Sequence, residues 1–490
     1  MTKTRLLAAT LLAPLLLGAS ALAGCKAVGP NFQSPAAPTS AGYLMQGDAP
    51  SDFARLSPDQ RVAGAWWKSF GSADLDRVME QALSGNQTVG AANASLVRSL
   101  QEAAATRGAQ QPQIDVNGGL QGTRINLTSF GFTGAGVPGV TISNPTLGLY
   151  SIGGTISYDA DLFGGLRRNS EAAAARAENQ ARQADAAYLT LTGQTTLAAV
   201  QIATVRAEIV TVQEAIDEDT RVVALIREAE GLGGEAPSAT TSARAQLAAD
   251  EAQIPPLLQG LAQARHQLAQ LVGQAPADWS APDFDLASFS APAEVPVSLP
   301  SSLVRLRPDI LAAEADVHVA VAQLGVATAA LYPDLRLTAN ITQTAIPPVS
   351  LLSYGASGWS LAAGLTQPIW HGGTLKANKR AAEATANEAL LRYHGTVVAA
   401  FTQVADVMSA ITQDDAELVA LAKSETVAEA ALRDDENAFR LGGGALLPVL
   451  DDERRLQMAR RSRVAAQGRR LADIAQLYVA TAADWRDVKS

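Results

Sequence analysis

The sequence predicts a mainly α-helical chain with a small membrane β part, organised as two internal structural repeats. Paired glycines carry the first argument: Gly164-Gly165 and Gly233-Gly234 answer to Gly372-Gly373 and Gly442-Gly443 at separations of about 208 and 209 residues, the fixed period of a repeat. Each half then has the same order. A helical run leads through a proline, Pro112 or Pro333, into a strand hairpin, a Gly-Gly, a very long helix, a glycine-rich turn and a shorter helix. The third observation is alternation, with apolar residues at every second position in the segments flanking each hairpin.

The amino terminus is a targeting segment. Lys3 and Arg5 precede an apolar stretch from Leu6 to Leu22, and Leu22-Ala23-Gly24-Cys25 follows, so residues 1–24 read as a signal peptide and not as a spanning anchor. Small residues before a cysteine form a bacterial lipobox. Cys25 is the only cysteine, which excludes an intramolecular disulfide; it is expected to carry lipid as the first mature residue, the alternative being an unmodified thiol beside the cleavage site. Lys26 stands where an aspartate commonly retains lipoproteins at the inner membrane, so export to the outer membrane is permitted.

The remaining chain divides into a lipidated extended segment (25–72), a first repeat (73–271), a Pro-rich linker (272–302), a second repeat (303–476) and a C-terminal segment (477–490). The long helices are expected from about Leu166 to Glu230 and from Thr374 to Leu441, each about 100 Å at 1.5 Å per residue. Val397, Phe401, Val404, Met408, Ile411 and Leu418 fall on a coiled-coil spacing, as do Ala198, Ile202, Val205, Ile209, Val212 and Ile216. An ordinary antiparallel bundle gives the same spacing.

Ile114, Val116, Gly118 and Leu120 alternate with polar residues, as do Ile156, Tyr158 and Ala160, then Leu335, Leu337, Ala339 and Ile341, and Trp359, Leu361, Ala363 and Leu365. Segments of this length suit a bilayer-crossing barrel with its apolar side outward; a soluble sheet with one wet face reads alike. Four strands cannot close a barrel, and open edges are not tolerated in lipid, so a membrane role requires oligomerisation. Apolar residues make up 47% of the chain, which excludes disorder, and after the signal peptide no stretch is expected to be long and apolar enough for a spanning helix. The formal charge of −10 becomes −12 once Lys3 and Arg5 are removed, a poor match for nucleic acid.

An ordered series of motifs then brings a family into view. Trp66-Trp67-Lys68-Ser69-Phe70-Gly71, Asp74-Leu75 and Ala82-Leu83-Ser84-Gly85-Asn86 precede Phe163-Gly164-Gly165. Leu303-Val304-Arg305-Leu306-Arg307-Pro308-Asp309-Ile310 follows, with Glu314 one turn on, then Gly325-Val326-Ala327 and Tyr332-Pro333. Together with Cys25-Lys26-Ala27-Val28-Gly29-Pro30, these closely resemble the outer membrane factor family of TolC/OprM-type channels, in its NodT-like efflux lipoprotein branch. The resemblance spans nearly the whole mature chain. It implies a homotrimer forming one 12-stranded β-barrel, four strands per protomer, continuing into a long periplasmic α-helical barrel, with residues 274–300 and both chain ends in an equatorial belt. It also implies a lipid-anchored place in the outer membrane of a Gram-negative bacterium. The partners it implies are a periplasmic adaptor and an inner-membrane transporter of the RND type.

Gly231-Leu232-Gly233-Gly234 and Leu441-Gly442-Gly443-Gly444 are read as the periplasmic tip turns, because glycine reaches the positive φ that tight reversals need. A phosphate-cradling loop is the rival, but no Gly-Lys-Ser/Thr follows. The resemblance places a pore constriction at Leu447 and Asp451. Three copies of Asp451 would form a cation-attracting carboxylate ring, with Arg454 and Arg455 pairing to these acids across protomers; the alternative is that Asp451 and Asp452 are helix-start carboxylates. Pro448 is expected to stiffen the entry to that helix. Arg307, Pro308, Asp309 and Glu314 are a structural motif. His266, His318, His371 and His394 are scattered without metal-ligand spacing, Gly-x-Ser-x-Gly is absent, and Asp414-Asp415 and Asp434-Asp435 read as solvated helix faces, so neither an enzyme nor a cofactor beyond the Cys25 lipid is expected. Met45, Met79, Met408 and Met458 are isolated, which argues against soft-metal cargo. The leading function is a passive, gated efflux duct; the alternatives are a type I protein-secretion duct and a non-pore periplasmic coiled-coil lipoprotein.

Overall fold

The computed structural model describes residues 27–40, 42–45, 47, 54–56, 65–126, 145–292, 295–297 and 300–481. The signal peptide, Cys25 and the residues after Thr481 lie outside the described residues. The elements in chain order are β1 (Ala54–Leu56), α1 (Ala73–Gly85), α2 (Gln87–Gly108), β2 (Gln113–Arg124), β3 (Thr146–Asp159), α3 (Gly165–Gly231), α4 (Pro237–Glu251) and α5 (Ile254–Val272). They continue with β4 (Val295–Val297), α6 (Pro308–Ala329), β5 (Asp334–Ala345), β6 (Ser357–Thr366), α7 (Thr374–Arg440) and α8 (Leu446–Ala480). The protein is thus mostly helical with a small antiparallel sheet. Both long helices contain 67 residues, and their bounds fall within one residue of expectation.

Two compact units are distinguished. One takes the described residues up to 34 with 97–178 and 315–391; the other takes 35–96, 179–314 and the residues from 392 onward.

The first unit holds the sheet, in the order β2-β3-β5-β6 with every pair antiparallel. The register places Ile114, Ile156, Ala339 and Leu361 side by side across all four strands, and the neighbouring rows are Val116, Gly154, Ile341, Trp359 and Tyr158, Leu337, Ala363. Successive side chains of a strand point to opposite faces, so these rows make one apolar face. It is open: Val116, Trp359 and Leu361 are each more than 70% exposed. The other face carries Asp115, Thr155, Asn340 and Ser360 in one row. At the start of β5, Arg336 Nε donates to Asp159 Oδ1 of β3 at 2.8 Å.

The same unit fastens the first described residues of the chain. Arg168 donates to the carbonyls of Val28 (3.3 Å) and Gly29 (3.4 Å) and to Asn31 Oδ1 (2.7 Å) while pairing with Glu171 at 2.7 Å. Glu171 also contacts His318 Nε2 at 3.1 Å, and the His318 ring stacks on Phe32 with centroids 4.3 Å apart. A Cβ on Gly29 would lie 2.7 Å from Gly325 Cα, and one on Gly325 would lie 2.8 Å from the Arg168 side chain, so both motif glycines are close-approach positions. Phe163 stacks on Tyr332 at 4.8 Å, joining two further motif segments. Asp161 accepts from the Leu166 and Arg167 amides and so caps α3.

The second unit contains the main core. Trp66, Trp67 and Phe70 lie on a short 3-10 turn and pack with Phe289 and Tyr478; Trp66 stacks on Tyr478 at 5.0 Å, and Phe70 is fully buried. The aromatic motif near the amino terminus is therefore a core plug. Ala198, Ile202 and Val205 of α3 and Val404, Met408 and Ile411 of α7 are buried in the same core, as their spacing predicts, but Ala199, Val200 and Ala203 widen the buried face of α3 beyond a simple seam. β1 and β4 form a small parallel pair, which connects the linker to the N-terminal segment.

Three expectations need correction. The first tip turn is followed by two helices, α4 and α5, broken at Ala252-Gln253, because Pro255 occupies the first turn of α5 where a missing N–H is harmless. Three helices, α3, α6 and α7, do contain stretches long and apolar enough to cross a membrane; alanine raises their hydropathy, and over half of the stretch in α3 is buried inside the protein. Asp414 is not on a solvated face: it is 7% exposed, whereas Asp415 pairs with Arg470.

Candidate functional site

The two glycine turns have one geometry. Gly233 (φ 78°) and Gly442 (φ 76°) adopt the left-handed conformation, while the second glycine of each pair does not. Gly234 N donates to Ala229 O at 2.8 Å and Gly233 N to Glu230 O at 3.0 Å; Gly443 N donates to Ala438 O at 3.0 Å and Gly442 N to Phe439 O at 2.9 Å. This crossed pair of bonds is a Schellman closure, which satisfies the last carbonyls of α3 and α7 and reverses the chain. Below the turns, Val223 and Ile226 of α3, Ala243 of α4 and Leu446 of α8 form a small buried cluster, with Phe439 and Leu450 against it.

α8 begins at Leu446, so Pro448 sits in its first turn, where its missing N–H breaks no helical bond. Leu446 and Val449 face inward; Leu447, between them, is 72% exposed. Asp451 and Asp452 lie beyond the first turn, which contains no acid, so the helix-start reading of this pair fails. Asp451 pairs with Arg454 and, at 2.6 Å, with Arg455, which also reaches Asp452 at 3.0 Å. The arginines expected to bridge protomers thus meet their acids within one helix of one chain. Spacings of i, i+3 and i, i+4 make that arrangement available locally.

Deeper between the same helices lie acids that sequence reasoning missed. Asp219 of α3 and Glu453 of α8 are 7% and 4% exposed, and Asp219 Oδ2 and Glu453 Oε1 have no hydrogen-bond partner. Burial, reinforced by the carboxylates of Asp219, Glu218, Glu436 and Asp250, pushes Glu453 up to about 8. Burial, then a shared hydrogen bond with Asp250, pushes Asp219 up to about 7. Farther along, burial and Asp473 of α8 raise Asp414 to about 6. The signal was a helix face: Asp219 precedes the buried Val223 by four residues, and Glu453 follows Leu450 by three.

The Arg307-Pro308-Asp309 motif opens α6. The Arg307 guanidinium donates to both Asp309 oxygens at 3.0 and 2.7 Å, to Gln403 Oε1 of α7 at 3.0 Å and to the Ala480 carbonyl at the end of α8 at 2.9 Å. Arginine's planar fork suits this simultaneous contact with three segments. Asp309 also accepts from the Ile310 amide, and Glu314 pairs with Arg305 at 3.2 Å. His371 lies exposed between β6 and α7. Among the described residues no group of three or more histidine, cysteine, aspartate or glutamate side chains is placed to hold a metal.

Known proteins resemble this chain over most of its length. The pyoverdine export outer membrane protein OpmQ of Pseudomonas aeruginosa is 28% identical over 471 residues, 95% of this chain and 97% of that protein. The solvent efflux pump outer membrane protein SrpC of Pseudomonas putida is 26% identical over 473 residues, covering 95% and 96%. Among solved structures, the outer-membrane channel OprN is 25% identical with a TM-score of 0.83 over 94% of this chain and 99% of that one. The open-state MtrE channel of Neisseria gonorrhoeae, at 24% identity, shows the same fold with a TM-score of 0.81 over 94% and 99%. The family model described as outer membrane efflux protein matches residues 78–274 and 299–483, the greater part of the chain. The chain belongs to the outer membrane efflux protein family, a family of channels and not of enzymes.

Proposed function

We propose that this protein is the outer membrane channel of a tripartite efflux system, a passive gated exit duct for small molecules driven by an inner-membrane transporter of the RND type through a periplasmic adaptor. The observation that carries this is the sheet: a continuous apolar face, in register over four strands and open to its surroundings, with β2 and β6 each paired on one side only. In lipid every unpaired backbone group costs several kcal/mol, so the edges must meet other copies. A homotrimer would close a 12-stranded barrel. The two halves, each a helix, two strands, a 67-residue helix and a glycine turn, are read as structural repeats, and the division at residues 72, 271, 302 and 476 is kept as their outline.

Cys25 would carry the lipid that anchors the chain to the outer membrane, three residues before Val28, the first residue held by Arg168. The tip turns at Gly233-Gly234 and Gly442-Gly443 would face the adaptor, with Leu447 and Asp451 as the periplasmic gate. Leu447 is exposed in the single chain, as a pore-facing residue must be. The ion pairs of Asp451 are partly exposed and each worth about 0–1 kcal/mol, so exchanging them for contacts across protomers costs little. Arg307, Pro308, Asp309 and Glu314 would hold the start of α6 and the end of α8 in place while the tip moves.

A paired substitution tests the membrane face. Leu361→Arg places a charge on the apolar face and should cost about 2–4 kcal/mol per copy near the bilayer centre, whereas Ser360→Arg enters the polar face. Reconstitution into lipid vesicles should lose folded barrel for the first and retain it for the second. Equal tolerance of both would remove the sheet from lipid and favour the non-pore periplasmic lipoprotein.

A further inference from the structure

The carboxylates beneath the tip turns come together from separate helices. Asp219, Asp250 and Glu453 come from three different helices, α3, α4 and α8, and they continue the helix faces that pack the hydrophobic cluster of Val223, Ala243 and Leu446. Asp219 lies one turn from Val223, Asp250 one turn from Leu247, and Glu453 one turn from Leu450. Among the described residues neither Asp219 nor Glu453 has an ion-pair partner, and each keeps one oxygen without a hydrogen bond. Asp219 and Glu453, buried on facing helices without an ion-pair partner, are compatible with close packing only while they hold protons.

The charged surroundings come from every helix of this region. Glu218 of α3 and Glu436 of α7 add further negative charge to Glu453. Glu218 is itself paired with Arg221 at 2.7 Å, and Arg455 is committed to Asp451 and Asp452. Asp250 accepts from Gln246 at 2.9 Å and from Gln253. A cavity of about 250 Å³ opens beside it, lined by Asp250, Gln246, Arg454, Gln457 and Arg461. It has several waters' worth of volume at about 30 Å³ each and brings water to Asp250, at the edge of the buried acids. Its two arginines are held by Asp451 and by Gln253.

We propose that Asp219 and Glu453, buried beside Asp250, are a proton-operated latch, which holds the gate-bearing helix α8 against α3 and α4 when both are protonated and releases it as the protons leave. The proposal rests on the reading of Leu447 and Asp451 as the gate. Burial raises the affinity of Asp219 and Glu453 for protons, so the sign follows directly: packing is at full strength below the ordinary carboxylate range near pH 4 and is lost as pH rises through about 7 for Asp219 and about 8 for Glu453. Acid therefore favours the closed tip, and neutral to mildly alkaline conditions favour the open one.

Hydrogen exchange of the full-length trimer, corrected for intrinsic rates, tests the latch at residues 237–251 and 446–456 between pH 5.5 and 7.5. One carboxyl whose pKa differs by one unit between packed and released states changes the equilibrium tenfold, so the wild-type opening constant should rise at least about tenfold over this range. Asp219→Asn/Glu453→Gln, which fixes a neutral layer of the same shape, should reduce that rise to below about twofold. A pH-independent wild type, or a double variant with the wild-type profile, overturns the latch. Conductance recorded on the same samples should rise with pH in the wild type and stay low and flat in the double variant. Protein that conducts at no pH contradicts the duct reading instead, while the exchange profile still decides the latch by itself.

Discussion

Arg307→Ala removes a side chain that touches α6, α7 and the end of α8 together. The Ala480 carbonyl is among the last of α8 and lies in a fully buried residue, so losing its donor leaves a buried acceptor unsatisfied at a cost of about 1–3 kcal/mol. The bidentate contact to Asp309 adds less than a buried ion pair would, because that carboxylate is 43% exposed and screened by solvent. Together with the Gln403 contact, the total is about 2–3 kcal/mol, or about 30- to 150-fold in a local opening equilibrium. Hydrogen exchange at residues 477–481, where Thr481 N donates to Leu477 O, reads that equilibrium. Arg307→Lys keeps the charge but cannot span three partners, and should recover only part of the protection. Exchange within about threefold of wild type in Arg307→Ala would refute the idea that this guanidinium secures the helix end.

Three other outcomes follow from the same geometry. Gly442→Ala should destabilise the second tip turn by about 1–2 kcal/mol because of its positive φ, while Gly443→Ala, whose Cβ would meet only Ala438 O at 3.8 Å, should be nearly neutral; limited proteolysis at the turn separates the two. Asp414→Asn removes a buried acid raised to about 6, whose stabilising effect is present below about pH 4 and lost as pH rises through 6, so the variant should melt higher than wild type at pH 8 and show no gain at pH 4. Phe70→Ala empties a fully buried site among Trp66, Phe289 and Tyr478 and should cost about 3–5 kcal/mol, seen as faster limited proteolysis of the second unit than in wild type.

What was legible in the sequence has a common character. Glycines at a fixed separation, prolines ahead of strands and periods of 2 and 3.5 are local signals, and they located both 67-residue helices and all four strands of the larger sheet. What escaped depends on partners far away in the chain. Asp414 looks solvated beside Asp415, and only burial and the approach of Asp473 on another helix show why its carboxyl is raised. His318 appears isolated until Phe32 stacks on it and Glu171 reaches its ring. The β1–β4 pair joins three-residue strands too short to leave an alternating pattern. The break between α4 and α5 was readable from Pro255-Pro256, but the repeat suggested one helix there. Arg454 and Arg455 were assigned to other protomers although i, i+3 and i, i+4 partners stood in the same helix.

The most direct measurement is planar-bilayer conductance of the detergent-purified protein, with the oligomeric mass determined on the same sample. A gated duct predicts a trimer with low, cation-selective conductance that rises when Asp451→Ala removes the carboxylate ring. A monomer or dimer that conducts no ions would contradict the channel and leave a periplasmic coiled-coil lipoprotein in its place.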